Sequence, residues 1–323
     1  MKMRMAAARI SVVIPAYNRA RFLVKAIESI RAQSHACAEI VVVDDGSTDD
    51  TLAVVQRLGS GIRYLRQDNA GPSHARNRGV REASGDLVAF LDTDDRWLPG
   101  KIEAQLRVLQ ARPDVALVVT DEAMESADGQ ITAASNFARH GVDRRFPETL
   151  DSVVPDAPRQ LLATNFISTS TVLARRDMLV EQGGFDTRLR YGEDLELWLR
   201  IAARHPIACL RQVHAVRVTH GGNTTADIEP MLRGYVELAE VIRGWARDLM
   251  PAWGLNPDRY VADSWCELGY WYFSQMRLPE ARSALVRSVR ACATMRGLKY
   301  VAAACLPVPV VRAVRRCLAS PVS

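Results

Sequence analysis

Short apolar runs alternate with segments of helical spacing through most of the chain. The runs that predict buried strands begin at Arg9 and continue to Pro15, and then recur at Glu39–Val43, Ile62–Leu65, Leu87–Leu91 and Val115–Thr120. Helical spacing is found in Arg21–Gln33, from Ser47 to Leu58, after the Gly71–Pro72 turn and in Lys101–Gln110. Strands that alternate with helices predict right-handed crossovers, and therefore a mostly parallel α/β sheet with helices on both faces.

The alternation loosens after Asp121 and then resumes. We expect an irregular insertion over Glu125–Pro158, a strand over Ile167–Leu173, a helix over Arg175–Gln182, a helix containing Leu195–Ile201 and a last strand over Ile207–Thr219. The helix that contains Leu195–Ile201 has Glu193 and Asp194 in its first turn, which is the end of a helix that favours anions.

Beyond Ala226 the chain becomes helical and aromatic. The segment W-C-E-L-G-Y-W-Y at Trp265–Tyr272, followed by L-P-E-A-R-S-A-L, is similar to a single tetratricopeptide helix pair. Arrays of that kind need several pairs to be stable, so helices that pack on the α/β domain are the preferred interpretation. We therefore predict an α/β domain over residues 8–225 and a helical, basic C-terminal extension over residues 226–323.

Three carboxylates follow the Leu87–Leu91 run. The sequence F-L-D-T-D-D-R-W places Asp92, Asp94 and Asp95 at the carboxyl end of this strand, where open α/β sheets bind their ligands. Like charges this close repel one another, and a hard divalent cation with oxygen ligands relieves the repulsion. On an extended strand end Asp92 and Asp94 point to one side and Asp95 to the other, which suits one metal beside a phosphate. The alternative is a polar strand-to-helix turn with Asp95 near the start of the next helix.

The composition of the 323 residues, with 48% apolar and 24% charged, is ordinary for a globular protein. The six cysteines show no C-x-x-C pairing, which argues against a zinc site or a disulfide framework and fits a reducing cytoplasm. We predict no export signal, because Arg9 interrupts the apolar start of the chain. The late apolar stretch Tyr300–Val311 is too short to span a membrane and contains Pro307 and Pro309.

The net charge of +5 is distributed unevenly. From Met276 to the end there are nine Lys or Arg and one Glu, which leaves the first 275 residues at −3. One face of a predicted helix in this tail is apolar and the opposite face is basic: Ala281, Leu285, Val289 and Cys292 on the first, Arg287 and Arg290 on the second. This pattern predicts reversible contact with an anionic membrane surface, and the alternative is a solvated helix face.

Seven short motifs occur in a set order along the chain. They are I-P-A-Y-N from Ile14, V-D-D-G-S-T-D from Val43, A-R-N-x-G from Ala75, L-D-T-D-D from Leu91, G-G-F-D from Gly183, G-E-D from Gly192, and His220. Together they resemble the family 2 glycosyltransferases of the GT-A fold, over about residues 8 to 225. The resemblance implies a Rossmann-like sheet that binds a nucleotide sugar, and an enzyme that inverts the anomeric centre.

The resemblance also implies roles for individual residues. Pro15, Tyr17 and Asp45 match contacts to the donor base, and Arg76 matches the helix that faces the diphosphate. Asp92 and Asp94 match the D-x-D that holds Mn²⁺ or Mg²⁺ beside the nucleotide sugar, and Asp95 is a neighbour whose share of the metal or ribose contact stays open. Asp194 matches the base that activates the acceptor, and His220 a late metal or phosphate contact. The alternatives are a helix-start acid for Asp194 and a strand-end histidine for His220.

The same chemistry sets the expected partners. We expect a UDP-sugar donor whose uracil N–H is accepted by Asp45, with GDP and dTDP donors left open, and a glycan or lipid-linked hydroxyl as acceptor. No nucleic-acid partner is expected. We expect the protein in the cytoplasm, as a peripheral protein on the inner face of the cell membrane, in envelope polysaccharide or glycolipid assembly.

Three other classes of protein fit the sequence less well. An aspartyl-phosphate phosphohydrolase also has a D-x-D after an apolar strand, but Arg96 occupies the fifth position of that motif. A sugar nucleotidyltransferase would open with a glycine-rich phosphate loop, whereas this chain has P-A-Y-N. A catalytically dead scaffold that binds partners through its tail would have lost acids, and Asp92, Asp94 and Asp194 are all present.

Overall fold

The computed structural model describes residues 8–142, 144–145, 153–221 and 227–311. The chain forms two compact units, Met1–Asn223 and Thr224–Ser323. The first unit contains nine strands in the residues described, in one sheet. None of the described helices is long and apolar enough to cross a membrane.

The strands and helices of the first unit have the following bounds. The strands are β1 (Ile10–Ala16), β2 (Glu39–Asp44), β3 (Ile62–Arg66), β4 (Leu87–Phe90), β5 (Arg96–Trp97), β6 (Leu117–Ser126), β7 (Ile131–Ala133), β8 (Leu173–Arg175) and β9 (Ile207–Thr219). The helices are α1 (Ala20–Arg31), α2 (Thr51–Leu58), α3 (Pro72–Glu82), α4 (Lys101–Ala111), α5 (Asn136–Arg139), α6 (Ala157–Ala163), α7 (Arg176–Glu181) and α8 (Glu193–Ala202).

The strand order is β3-β2-β1-β4-β8-β6-β9-β5, and β7 pairs with β6. Strands β3, β2, β1 and β4 are parallel, as are β6 and β9. The prediction of an α/β sheet is therefore confirmed. Chain order and strand order diverge on either side of β1, so the carboxyl ends of β2, β1 and β4 lie beside the kind of crevice where such sheets bind ligands.

Helices cover both faces of the sheet because successive strand side chains point to opposite sides. Ile10, Val12 and Ile14 share one core with Leu23 and Ile27 of α1. On the other face Val13 packs so closely on Gly79 of α3 that a β-carbon there would lie 2.3 Å from a Val13 methyl group. Only glycine fits at that crossing, which explains the last residue of the A-R-N-x-G motif.

Two segments differ from the sequence prediction. The strand expected over Ile167–Leu173 is instead a 3₁₀ turn at Thr169–Thr171 followed by β8, which pairs antiparallel with β4 and β6. Buried hydroxyl side chains produce the same β-branched pattern as a strand, but here they hydrogen-bond locally: Thr171 Oγ1 donates to the Ser168 carbonyl at 2.7 Å.

The expected insertion over Glu125–Pro158 is partly ordered. Strand β6 continues to Ser126, turns at Gly129 and returns as β7, and α5 follows. Residues 143 and 146–152 of this insertion lie outside the described part of the chain.

The second unit is helical, with α9 (Ile228–Ala246), a 3₁₀ turn at Met250–Trp253, α10 (Pro257–Ser274), α11 (Leu278–Ala291) and α12 (Met295–Ala304). Helices α10 and α11 cross closely, because a β-carbon at Gly269 would lie 2.6 Å from Leu285 Cγ. Leu278, Ala281 and Leu285 are buried in the core of this unit. The apolar face of α11 is therefore covered by its own unit, and the prediction that this face is free to insert into a membrane is wrong.

Candidate active site

The acidic loop after β4 is held by Ser170 from the 3₁₀ turn. The Ser170 hydroxyl donates to Asp95 Oδ2 at 2.6 Å and accepts from the backbone N–H of Asp92 at 3.1 Å. The Ser170 carbonyl accepts from Trp97 Nε1 at 2.8 Å. Both ends of the loop are thus fixed by one fully buried residue.

Asp95 is the innermost carboxylate of the loop. Its second oxygen, Oδ1, accepts from the backbone N–H of Val218 in β9 at 3.2 Å. Burial, and then the nearby charges of Asp92 and Asp94, raise the pKa of Asp95 well above its usual range. The structure thus places both Asp95 oxygens in contacts with Ser170 and β9, which ties the acidic loop to the strand that leads to His220.

His220 lies beside the loop and meets Asp94. Its Nε2 is 3.0 Å from Asp94 Oδ2, and its ring stacks on Phe22 of α1 with 5.2 Å between ring centroids. The stacking fixes the plane of the imidazole, so the edge that carries Nε2 is directed at the carboxylate.

Arg76 of α3 connects the acidic loop with the start of α8. Its Nη2 donates to Asp92 Oδ1 at 2.7 Å and its Nη1 to Glu193 Oε1 at 3.0 Å, and its guanidinium lies 5.4 Å from the centroid of the Phe185 ring. Burial alone would lower the pKa of Arg76, but Asp92 and Glu193 raise it. This arginine, predicted to face a diphosphate, already neutralises one carboxylate on each side of the site.

Asp194 stands next to Glu193 in the first turn of α8, which begins after Gly192 in the left-handed conformation at φ 73°. Its Oδ1 accepts from the backbone N–H of Leu195 at 2.6 Å. Burial raises the pKa of Asp194, against the effect of that hydrogen bond and of the Arg76 charge. Burial and the charge of Asp194 also raise the pKa of Glu193 to about 7. A carboxylate whose pKa is raised is a better proton acceptor at neutral pH.

The turn before α8 is positioned by Asn77, the neighbour of Arg76. The Asn77 side chain donates to the Phe185 carbonyl at 2.8 Å and accepts from the Phe185 N–H at 2.7 Å. A β-carbon at Gly184 would lie 2.3 Å from Asn77 Oδ1, and Gly184 has φ 76°. The A-R-N-x-G and G-G-F-D motifs therefore contact each other, through Asn77 of the first and Gly184 and Phe185 of the second. This contact positions the segment that leads to Glu193 and Asp194.

Sequence reasoning missed Glu122 and Arg217, which lie on β6 and β9. Glu122 is 1% exposed, and burial, opposed by the charge of Arg217, raises the pKa of Glu122 to about 7. Burial would lower the pKa of Arg217, but Glu122, Asp95 and Asp92 raise it. A glutamate within a buried apolar strand is the sequence feature that could have revealed this pair.

The predicted base-contacting residues lie at the ends of β1 and β2. Tyr17 is 49% exposed, whereas Asp45 is buried and accepts from Gln67 Nε2 at 2.8 Å, Ala70 N at 3.0 Å and Gly71 N at 2.7 Å. A carboxylate offers about four acceptor positions, so Asp45 holds the loop before α3 and retains room for one more donor. Pro15 lies within β1, opposite Val43 of β2.

The candidate metal ligands are already paired with other protein groups. No group of three or more His, Cys, Asp or Glu side chains in the described residues is arranged to hold a metal ion. The donor set nevertheless fits one. Asp94 Oδ2 and His220 Nε2 lie 3.0 Å apart as a hydrogen-bonded pair, and carboxylate and imidazole are both ligand types that a divalent cation such as Mn²⁺ accepts. Burial, and then the charges of Asp92 and Asp94, raise the pKa of Asp95, which is the direction expected of a buried acid beside other acids.

The fold defines a class before any relative is considered. It is a mostly parallel α/β sheet with an acidic loop after its fourth strand in chain order and two further acids at the start of a helix. A sequence profile described as glycosyl transferase family 2 matches residues 11–155. The chain belongs to this family.

Two curated relatives give the extent of the similarity. The chain is 32% identical over 238 residues to an uncharacterized glycosyltransferase of Rickettsia felis, an alignment that covers 72% of this chain but only 37% of that relative. It is 28% identical over 248 residues to the GalNAc(5)-diNAcBac-PP-undecaprenol beta-1,3-glucosyltransferase of Campylobacter jejuni, covering 74% of this chain and 75% of that one.

Two solved structures share the fold. S. aureus TarS 1-349 in complex with UDP-GlcNAc superposes with a TM-score of 0.68 at 19% identity, covering 96% of this chain and 92% of TarS. The mannosyltransferase PcManGT from Pyrobaculum calidifontis, in complex with GDP-Man and Mn²⁺, superposes with a TM-score of 0.53 at 20% identity, covering 96% and 83%. The GT-A-like fold expected from the motifs is confirmed.

Proposed function

We propose that this protein is an inverting glycosyltransferase that moves a sugar from a nucleotide diphosphate sugar to a hydroxyl acceptor in a single displacement. The observation that carries the proposal is the Arg76 bridge, which joins Asp92 of the acidic loop to Glu193, the neighbour of Asp194. Arg76 therefore connects the acidic loop, which suits the donor diphosphate, with the start of α8, where Asp194 suits the acceptor hydroxyl.

Asp194 acts as the base in this proposal. It accepts the proton of the acceptor hydroxyl while the hydroxyl oxygen forms the new bond to the anomeric carbon and the nucleoside diphosphate leaves with the bonding electron pair. Attack and departure on opposite sides of the sugar invert the anomeric centre. Glu193 is paired with Arg76, and the arginine charge offsets part of the repulsion between Glu193 and Asp194.

Asp92, Asp94 and His220 would hold a divalent cation, Mn²⁺ or Mg²⁺. Such an ion supplies charge neutralisation at the leaving diphosphate. Asp95 orders the loop through Ser170 and Val218. Tyr17, Pro15 and Asp45 receive the nucleobase, and the UDP-GlcNAc bound to the similarly folded TarS supports uracil as that base.

The acceptor is a glycan or a lipid-linked sugar. The Campylobacter jejuni relative is named for a glucosyl transfer to an undecaprenol diphosphate-linked glycan, which supports an acceptor of this class. We place the protein in the cytoplasm, peripheral on the inner face of the cell membrane, in envelope polysaccharide or glycolipid assembly. No nucleic acid takes part.

Calorimetric titration of UDP, with and without Mn²⁺, tests the donor site directly. We expect binding that requires the metal and is weakened at least about tenfold by Asp92→Asn or Asp94→Asn, because each change removes a charged oxygen ligand. Asp248→Asn, at an exposed position of the second unit, is the control and should bind normally. Equal UDP affinity with and without metal in all these proteins would refute the metal role of Asp92 and Asp94, and no UDP binding by the native chain would refute the donor site.

A further inference from the structure

The second unit exposes an unusual concentration of apolar side chains near its end. Thirteen large hydrophobic side chains are exposed in the described part of the chain, and five of them fall within 16 consecutive residues, Met295, Leu298, Leu306, Val308 and Val310. Met295 is 71% exposed, the highest value in this set. Single exposed hydrophobic residues need no explanation, but a concentration of this kind marks a contact surface.

Helix α12 has apolar residues on both of its sides. Its inner side packs within the unit: a β-carbon at Gly297 would lie 3.2 Å from a Val289 methyl group, and the Tyr300 ring lies 5.0 Å from that of Tyr270. On the outer side Met295, Leu298, Ala302 and Cys305 recur at helical spacing, and all four are exposed. A helix with apolar residues on both its inner and its outer side is normally covered on both sides.

The charge around α12 indicates what covers the outer side. No Asp or Glu follows Glu280, whereas eight Lys or Arg occur in the last 43 residues. The only charged residues from Met295 to Val311 are Arg296 and Lys299. This segment combines basic and apolar residues and contains no acid. A bilayer of anionic lipids is complementary to it, because its surface is negatively charged and its interior is apolar.

Helix α11, with its basic face, does not provide this surface. Its apolar residues are buried against α10, as described above. Two of its arginines are engaged within the unit, since Arg282 Nε donates to the Ala304 carbonyl at 2.7 Å and the Arg287 guanidinium lies 4.9 Å from the centroid of the Trp265 ring.

We propose that the outer face of α12 together with residues 306–310, here called the α12 surface, docks on anionic lipid bilayers. Met295 and Leu298 insert among the lipids, while Lys299 contacts the lipid phosphates. This inference deepens the peripheral membrane location proposed above, but vesicle binding requires neither sugar transfer nor a donor.

Flotation of the full chain with lipid vesicles tests the α12 surface. At low salt the protein should float with vesicles of equal parts phosphatidylcholine and phosphatidylglycerol, and not with phosphatidylcholine alone. Met295→Ser combined with Leu298→Ser removes apolar contact without changing charge, and we expect it to reduce vesicle partitioning about tenfold or more. Val308→Ser combined with Val310→Ser tests the segment beyond the helix in the same way, again without a change of charge.

Matched controls change residues of similar exposure elsewhere. Leu249→Ser in the same unit and Val180→Ser in the first unit are 44% and 52% exposed in the native chain, and both variants should float like the native protein. Failure of the native chain to float with anionic vesicles, or equal flotation of the α12 variants, would overturn the inference. UDP titration of each variant separates the two proposals, because loss of flotation with unchanged UDP binding concerns the membrane surface alone.

Discussion

Arg76 and Glu193 are separated by 117 positions in the chain, yet Arg76 Nη1 donates to Glu193 Oε1 at 3.0 Å. Both side chains are largely buried, and the same guanidinium also binds Asp92. An arginine that bridges two carboxylates in a low-dielectric site holds them together, and here it links α3, the acidic loop after β4 and the start of α8. The geometry of the proposed active site therefore depends on a single cation.

Replacement of Arg76 by a neutral residue should lower the free energy of unfolding. Arg76→Met leaves the largely buried Glu193 carboxylate and the partly exposed Asp92 carboxylate without their arginine, and we expect a loss of about 3 kcal/mol in the free energy of unfolding. Adding Glu193→Gln to Arg76→Met should recover part of that loss, because the second change removes one of the unpaired charges. Denaturant unfolding of the three proteins measures both effects.

The exposed pair of Arg107 and Glu103 is the comparison for the Arg76 bridge. Their side chains are 62% and 48% exposed, so Arg107→Met should change stability little. If Arg76→Met and Arg107→Met lowered the free energy of unfolding equally, the Arg76 bridge would carry no special weight.

Replacement of Asp194 should abolish turnover and spare binding. In Asp194→Asn the proton acceptor is lost, so the rate at which the nucleotide sugar is hydrolysed should fall by at least about 100-fold. The UDP affinity should stay within about twofold of the native value, which is the scatter expected of the titration. Because burial raises the pKa of Asp194, the acid limb of the native rate–pH profile should lie above the ordinary aspartate range. A variant with normal turnover, or one that no longer binds UDP, would reject the role of base.

Ser170 should act on donor binding although it lies beneath the site. Ser170→Ala removes the donor to Asp95 and leaves the Asp92 N–H without its partner, which should cost about 1–3 kcal/mol in stability and weaken metal-dependent UDP binding. Ser283→Ala, at an exposed position, should change neither quantity. A stability loss with unchanged UDP affinity would mean that Ser170 supports the fold but does not order the acidic loop.

A pH-dependent stability should come from Lys101. This fully buried side chain donates to Gln105 Oε1 at 2.9 Å and lies 4.2 Å from the centroid of the Trp97 ring, and burial lowers its pKa to about 7. Between about pH 7 and the ordinary lysine range the unfolded chain binds one more proton here than the folded chain does, so the stability rises with pH across this window. Below about pH 7 both states bind the proton, and this contribution no longer changes with pH.

Lys101→Met removes that titration. The native protein should gain about 1.4 kcal/mol per pH unit relative to Lys101→Met between pH 7 and 9, which denaturant unfolding at the two pH values would detect. Lys299→Met at an exposed position is the control. Parallel stability curves for native protein and Lys101→Met would show that Lys101 is charged in the folded state at neutral pH.

Local pattern was enough to predict the α/β sheet, the acidic loop and the family resemblance. Strand β4 is fully apolar and β2 is apolar between Glu39 and Asp44, and polar residues mark the ends of both runs, so these strands can be located from the sequence. The 3₁₀ turn at Ser170 was not predicted, because its hydroxyl side chains have the same alternation as a strand.

Contacts between segments that are distant in the sequence could not be predicted from local hydrophobic spacing. The Arg76–Glu193 and Asn77–Phe185 contacts depend on how α3 and the turn before α8 approach each other, which no local spacing records. The free membrane face was misplaced on α11 for the same reason, since only the packing of α10 on Leu285 shows that this face is covered. Amphipathic spacing indicates that a face is apolar, but it does not tell whether lipid or protein covers it.

The most direct test of the proposed function is donor hydrolysis. The full chain is incubated with Mn²⁺ and with one nucleotide sugar at a time, and free nucleoside diphosphate is measured, since water can replace the acceptor slowly. We predict slow release of UDP from at least one UDP-sugar, dependent on Mn²⁺ or Mg²⁺ and absent in Asp94→Asn and Asp194→Asn. Release that is equal in these variants, or no release from any nucleotide sugar by a chain that also fails to bind UDP, would contradict the account.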